Sequence, residues 1–184
     1  MPTTETNIPF SKRKLAKLLL LSVGCILLGL YFVIFQPQEP GILLTLPILA
    51  IILGSCILLV GLFLGTLSFR KIFRNGAGLI IDNTGFTDYS SGIAAGYVPW
   101  SDVKALKVIT LSKYKSKFVA VILKDPDAYV RRQQNALKRK AMLMNLRNYG
   151  SPVQLSDNSL QCSFDELLAH LQTYFDRSRP SVLN

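Results

Sequence analysis

One pair of residues in this 184-residue chain could in principle do nucleophilic chemistry: a thiol at Cys162 and an imidazole at His170, the only histidine. For the imidazole to take the thiol proton the two must meet, yet on helical spacing His170 points off the apolar stripe of its segment toward solvent. Asp165 and Glu166 are the nearest approach to paired carboxylates. Adjacent helical residues lie on different azimuths, and a helix N-terminal dipole with a capping box accounts for both acids. No phosphate-cradling glycine loop, zinc-ligand spacing or Gly-x-Ser-x-Gly elbow occurs. The sequence therefore predicts no catalytic residue, no cofactor and no metal site. A membrane-tethered enzyme near Cys162 and His170 stands as an alternative.

Positive charge is the stronger chemical signal. Residues 70 to 184 hold 17 Lys and Arg against 9 Asp and Glu. Six lysines and no acid fall between Val103 and Lys124, with Lys113, Lys115 and Lys117 at a predicted hairpin tip. Six more cations and no acid fall between Ala128 and Ser156, among them Arg131, Lys138 and Arg139. A basic group held near an anionic leaflet gains about 1 kcal/mol, so these six residues are the candidate contacts to lipid headgroups or to a partner. A solvated, solubilising face is the competing reading. Nucleic acid is a weaker one: Tyr114 among the lysines could stack a base, but no reading motif accompanies it. Trp100 reads as core rather than as an interface anchor.

The elements that carry these residues divide sharply. Uncharged runs at Leu18 to Gln38 and Gly41 to Phe69 are 21 and 29 residues long, separated only by Glu39 and Pro40. A hydrocarbon core of about 30 Å needs roughly 20 helical residues, so the runs predict a transmembrane hairpin over residues 15–69, with helices at about Leu15 to Phe35 and Leu43 to Phe69. A cleavable signal peptide fits less well, because the first run is long and Phe35-Gln36-Pro37 offers no small-residue cleavage site. Lys12, Arg13, Lys14 and Lys17 precede the first helix, Arg70, Lys71 and Arg74 follow the second, and the connection has no basic residue. By the positive-inside bias both termini face the cytoplasm, which makes residues 1–14 a basic cytoplasmic segment of a multi-pass inner-membrane protein. No ionisable residue lies deep in either span, which argues against a transporter. Gly61 and Gly65 form a Gly-x-x-x-Gly pair that could pack either against the first helix or in a homo-oligomer. Cys25, Cys56 and Cys162 show no paired spacing and read as small apolar fillers in a reducing environment.

Beyond Arg74 the period changes to that of short strands: Gly78 to Asp82, Phe86 to Asp88, Ile93 to Pro99, Lys104 to Leu111 and Lys117 to Lys124. Asp125-Pro126-Asp127 opens one basic helix running to about Arg147, with Val130, Leu137, Ala141 and Met144 on its apolar face. Val153 to Leu155 and Asn158 to Cys162 bring the strands to about seven. Ser163 and Glu166 then cap a C-terminal amphipathic helix bearing Phe164, Leu167, Leu168, Leu171, Tyr174 and Phe175. The expected domain spans 75–177, with a loose tail at 178–184.

Gly78 to Asp82, Gly85-Phe86, Asp88, Ser90-Ser91, Gly96, Val98, Trp100 and Asp102-Val103, followed by Tyr149-Gly150-Ser151-Pro152 and Ser163 to Leu167, resemble a group of uncharacterised bacterial membrane proteins. These have two transmembrane helices and a PH-like (pleckstrin-homology-like) cytoplasmic domain. The resemblance implies an α+β fold of about seven antiparallel strands in a barrel or sandwich with a capping C-terminal helix; the basic helix from Pro126 to Arg147 departs from the minimal PH plan and reads as an insertion. It also implies a binding or scaffolding role at the membrane rather than catalysis. The expected partners are the bilayer, anionic headgroups and a membrane protein, with homo-oligomerisation open. Phosphoinositide binding of the eukaryotic PH type is not expected, since the first hairpin carries Asp82 and Asp88 and no Lys or Arg lies between Asn75 and Gly96.

Overall fold

The computed structural model describes residues 5–35, 47–74, 76–91, 93–111 and 116–179. The chain forms two compact units: Lys12–Asn75, and a second made of Met1–Ser11 together with Gly76–Asn184.

The first unit is a pair of long apolar helices, α1 (Lys12–Ile34, 23 residues) and α2 (Pro47–Ile72, 26 residues). At 1.5 Å per residue they are about 34 and 39 Å long, sufficient to cross a hydrocarbon core. Leu20, Leu27, Leu59 and Phe63 are each more than half exposed, an apolar surface that water would not stabilise. Small residues form the seam. A Cβ on Gly29 would stand 2.7 Å from Leu58 N and 2.8 Å from Gly54 O, so the two backbones touch there. Ser22 and Ser68 are buried, and their hydroxyls donate within their own helices to Leu19 O and Leu64 O, at 2.7 and 2.8 Å. An unpaired hydroxyl in such surroundings would be costly.

The second unit is an α+β domain of two antiparallel sheets with helices. β1 (Thr6–Pro9), β2 (Ala77–Ile81), β3 (Gly85–Asp88) and β4 (Gly96–Pro99) make a four-stranded sheet in that order. β5 (Val103–Leu111), β6 (Ser116–Leu123) and β7 (Val153–Leu155) make a three-stranded one. No barrel closes. Inward residues of both sheets, including Leu79, Ile81, Phe86, Val119, Val121 and Leu155, join one hydrophobic cluster. Helix α5 (Phe164–Ser178) completes it with Leu167, Leu171, Tyr174 and Phe175. Its start is fixed by a reciprocal capping box, Glu166 N donating to Ser163 Oγ and Ser163 N to Glu166 Oε2.

Seven strands are present among the described residues, although they are not the seven that the sequence predicts. The segment before α1, expected to be only a basic flank within residues 1–14, supplies β1. Thr6, Asn7 and Ile8 pair with Ile81, Ile80 and Leu79. Ile8 alternates inward and is buried, and Thr6 Oγ1 lies 2.8 Å from the Tyr174 hydroxyl. The expected strand at Asn158 to Cys162 reduces to a single bridge from Leu160 to Phe10, since the chain turns where Leu160 N donates to Asp157 O. β4 begins later than the expected Ile93, because the preceding loop wraps the Asp88 carboxylate. Asp88 accepts from Ser90 N, Ser90 Oγ, Ser91 Oγ and Ala95 N at 2.6–3.1 Å.

The single inserted helix is in fact two, α3 (Pro126–Arg131) and α4 (Ala136–Tyr149). Asp125 caps the first through Ala128 N, and Asn135 restarts the second by accepting from Lys138 N at 3.0 Å. The break shifts the helical phase. Leu137 and Met144, expected on the apolar face, are 78% and 56% exposed, and Met142 takes the buried position. Gly150, at φ 74°, ends α4 in the left-handed conformation that glycine adopts without strain.

Candidate functional site

The residues singled out for binding lie on separate elements. Lys113 and Lys115 fall outside the described residues. Lys117 is exposed on β6, with its ammonium 5.8 Å from the centre of the Phe164 ring. Arg131 sits in the last turn of α3, and Lys138 and Arg139 in the first turns of α4, with both arginines exposed. Among the described residues, none of these four cations forms an ion pair. Gly61 and Gly65 face α1 of the same chain. A Cβ on Gly61 would lie 2.9 Å from Ile26 Cγ1, and one on Gly65 would lie 3.1 Å from Ser22 Oγ.

Cys162 lies just ahead of α5 and His170 in its second turn; both are half-buried. Glu166 is held below the usual carboxylate range, first by the Ser163 backbone N–H, then by its hydroxyl, and further by His170. The imidazole therefore sits in the field of a capping acid. Trp100 is buried, at 3% exposure, and its Nε1 donates to Asp82 O at 2.8 Å. It belongs to the core.

Two clefts carry polar chemistry. The first, of about 260 Å³, opens beside Asp88, Ser91, Asn145, Tyr149, Gln154 and Asn158. Both Asp88 oxygens are saturated by protein donors, so this carboxylate organises the loop. The Gln154 side-chain nitrogen is buried without a hydrogen-bond partner among the described residues, which marks a weak point in this wall.

The second cleft, of about 490 Å³, has three cations in its wall, Lys104, Lys124 and Arg179, with Asn83, Trp100 and Phe175 beside them and, among the described residues, no carboxylate. Each cation comes from a different element. Val103 pairs with Leu123 and Ala105 with Ile122, so Lys104 is the extra residue of a β-bulge, a feature that re-aims a side chain. Lys124 follows β6, where its N–H donates to Asp102 O at 2.9 Å. Arg179 caps the C-terminus of α5 and lies over the Phe175 ring at 4.3 Å. Lys104 and Lys124 belong to the first basic run noted in the sequence, yet only the fold brings Arg179 to them.

The neighbouring acids do not line this cleft. Partial burial works to raise the Asp82 carboxyl, but donors from the Thr84 hydroxyl and the Thr84 and Gly85 backbones outweigh it and hold the group below its ordinary value. Its charge is thereby committed to the β2–β3 turn. Asp102 and Asp125 line an adjoining hollow with Tyr129 and Arg132, and Lys124 borders both that hollow and this cleft.

Among the described residues, no group of three or more His, Cys, Asp and Glu side chains is placed to hold a metal ion. Comparison with family models, with curated proteins and with solved structures gives no match.

Proposed function

We propose that this chain is a membrane-anchored, PH-like binding or scaffolding module, held by its helix pair at the cytoplasmic face of an inner membrane. There it contacts anionic headgroups or a membrane protein. The observation that carries this reading is the pairing of β1 with β2. The chain leaves a sheet after Pro9, runs through both long helices, and re-enters the same sheet at Ala77. If α1 and α2 span a bilayer, both outer ends of the pair lie on one side of it, and the domain lies there too. The basic residues at those ends, Lys12 to Lys17 and Arg70 to Arg74, favour the cytoplasmic side.

Tethering then lowers the entropic cost of each encounter. A domain confined to within a few nanometres of the bilayer meets its targets at high effective concentration, so individually weak contacts count. Exposed, unpaired Arg131 and Arg139 on a stretch without acids support headgroup contact. The two antiparallel sheets closed by α5 are what supports the PH-like reading.

The test uses the full chain in phosphatidylcholine nanodiscs, mixed with vesicles. Capture by phosphatidylglycerol vesicles and not by phosphatidylcholine vesicles, weakening steeply with salt, is the expected result. Charge reversal at Arg131, Lys138 and Arg139 should abolish it. Undiminished capture by the reversed variant excludes headgroup contact by this face. Salt-resistant co-purification of a membrane protein points instead to the scaffolding branch.

A further inference from the structure

We infer that the cleft formed by Lys104, Lys124 and Arg179 is a specific binding site for a phosphate group, separate from the diffuse basic face of α3 and α4. The inference does not depend on the membrane reading, because every residue involved lies within the α+β domain.

Three like charges lining one concavity repel one another, and that arrangement is relieved by an anion between them. Among the described residues no carboxylate lines this cleft: Asp82 is held by three donors of its own turn, and Asp102 and Asp125 line an adjoining hollow with Arg132, which Lys124 also borders. The cations are also poised. The bulge sets Lys104 outside the strand ladder. Arg179 is seated on Phe175, and its guanidinium makes one long contact, 3.5 Å from Nη2 to Lys104 O, which leaves most of the fork for a ligand. A planar fork matches phosphate bidentately, while lysines act on it as point charges.

Two hydroxyls add little, since Thr84 Oγ1 donates to Asp82 and Ser178 Oγ to Phe175 O, at 2.6 Å each. The exposed Asn83 amide and the Ser101 hydroxyl, whose contact to Asp102 is a long 3.5 Å, are neutral donors left for an ester oxygen. A space of about 490 Å³ exceeds what a bare phosphate needs and admits a small phosphomonoester. That chemistry is shared by a lipid headgroup and a free phosphorylated metabolite.

Trp100, the only tryptophan, lines the cleft and reports on it. The experiment titrates the full chain in maltoside micelles, at constant ionic strength, with inorganic phosphate, glycerol 1-phosphate and micelle-dispersed phosphatidic acid, following Trp100 emission. A saturable change is expected. Lys104→Gln, Lys124→Gln and Arg179→Gln should each weaken it about tenfold or more, the loss of one charge-assisted contact.

Lys104→Arg and Lys124→Arg should retain binding, which separates charge from folding. The triple variant Arg131→Gln, Lys138→Gln, Arg139→Gln should bind as the parent does. Tighter saturation by phosphatidic acid than by glycerol 1-phosphate assigns the site to a headgroup, and equal saturation to a free phosphomonoester. A linear, unsaturable response to all three probes overturns the inference. So does weakening by the triple variant equal to that caused by Arg179→Gln.

Discussion

The indole nitrogen of Trp100 donates to the backbone carbonyl of Asp82 at 2.8 Å, tying the turn after β4 to the turn after β2. The ring itself lies between Phe86 and Phe175, with centroids 5.4 and 5.9 Å away. One residue thus joins the first sheet to α5. Replacing Trp100 with Phe keeps most of the apolar contact but strands the Asp82 carbonyl, at a cost of about 1–3 kcal/mol. Trp100→Ala adds a cavity and should cost about 3–5 kcal/mol. Thermal unfolding of the full chain in detergent, followed by circular dichroism, should rank parent above Phe above Ala. Equal losses for the two variants would show that packing at this position is unimportant.

Alkaline pH should unfold the domain partly through Tyr129. Burial, then the charge of Asp88, pushes its phenol up to about 12, with Asp102 adding to the rise and Arg132 opposing it. The hydroxyl donates to Ala95 O at 2.7 Å. Because the folded value is raised, this group's contribution is fully present below the ordinary tyrosine value of about 10. It is lost as pH climbs from there toward about 12. Denaturant titrations across that window should show stability falling in the parent and a shallower fall in Tyr129→Phe. Parallel slopes would contradict the assignment.

Asp88 collects four donors with no measurable exposure, so its cost of replacement should be large for a single loop residue. In Asp88→Asn an amide N–H₂ must face a donor, either Ala95 N or a serine, and one buried partner goes unmet. The expected loss is about 2–3 kcal/mol, read as a lower denaturation midpoint at unchanged slope. Hydrogen exchange should also quicken at Ser90 or at Ala95, whichever amide faces the new N–H₂ group.

Within the helix pair, two glycines predict opposite outcomes. A side chain on Gly29 must displace the backbone of α2 at Leu58 and Gly54, whereas nothing lies within 4 Å of a Cβ on Gly24. Gly29→Val should lower the melting temperature in detergent, overpacking costing about 1–3 kcal/mol. Gly24→Ala should be neutral or slightly stabilising. Comparable melting of both variants would dissolve the proposed seam.

Legibility from sequence follows the range of the interactions. The long helices and α5 declare themselves locally, through twenty-residue apolar runs and through the Ser163–Glu166 box beside a stripe at helical spacing. β1 does not. Thr6 to Pro9 contains a single buried apolar side chain, and its pairing partner lies beyond both long helices. A fragment beginning at Arg74 therefore lacks an edge strand, which is why the binding tests call for the whole chain. The division between α3 and α4 is equally silent, because Gln133, Gln134 and Asn135 all tolerate a helix until Asn135 caps one. The cleft is the least legible feature. Lys104, Lys124 and Arg179 are spread over 75 residues, and a one-residue bulge together with the end of α5 brings them to one place.

The account rests above all on the helix pair leaving one sheet and returning to it, with the domain on the cytoplasmic side. Impermeant thiol labelling tests this directly in a chain whose Cys25, Cys56 and Cys162 are replaced by alanine. Reporter cysteines go at Gln38, between the helices, and at Lys140, exposed on α4. The prediction is labelling of Gln38→Cys in intact cells and of Lys140→Cys only after the membrane is permeabilised. Labelling of Lys140→Cys in intact cells, or of neither reporter until lysis, contradicts it.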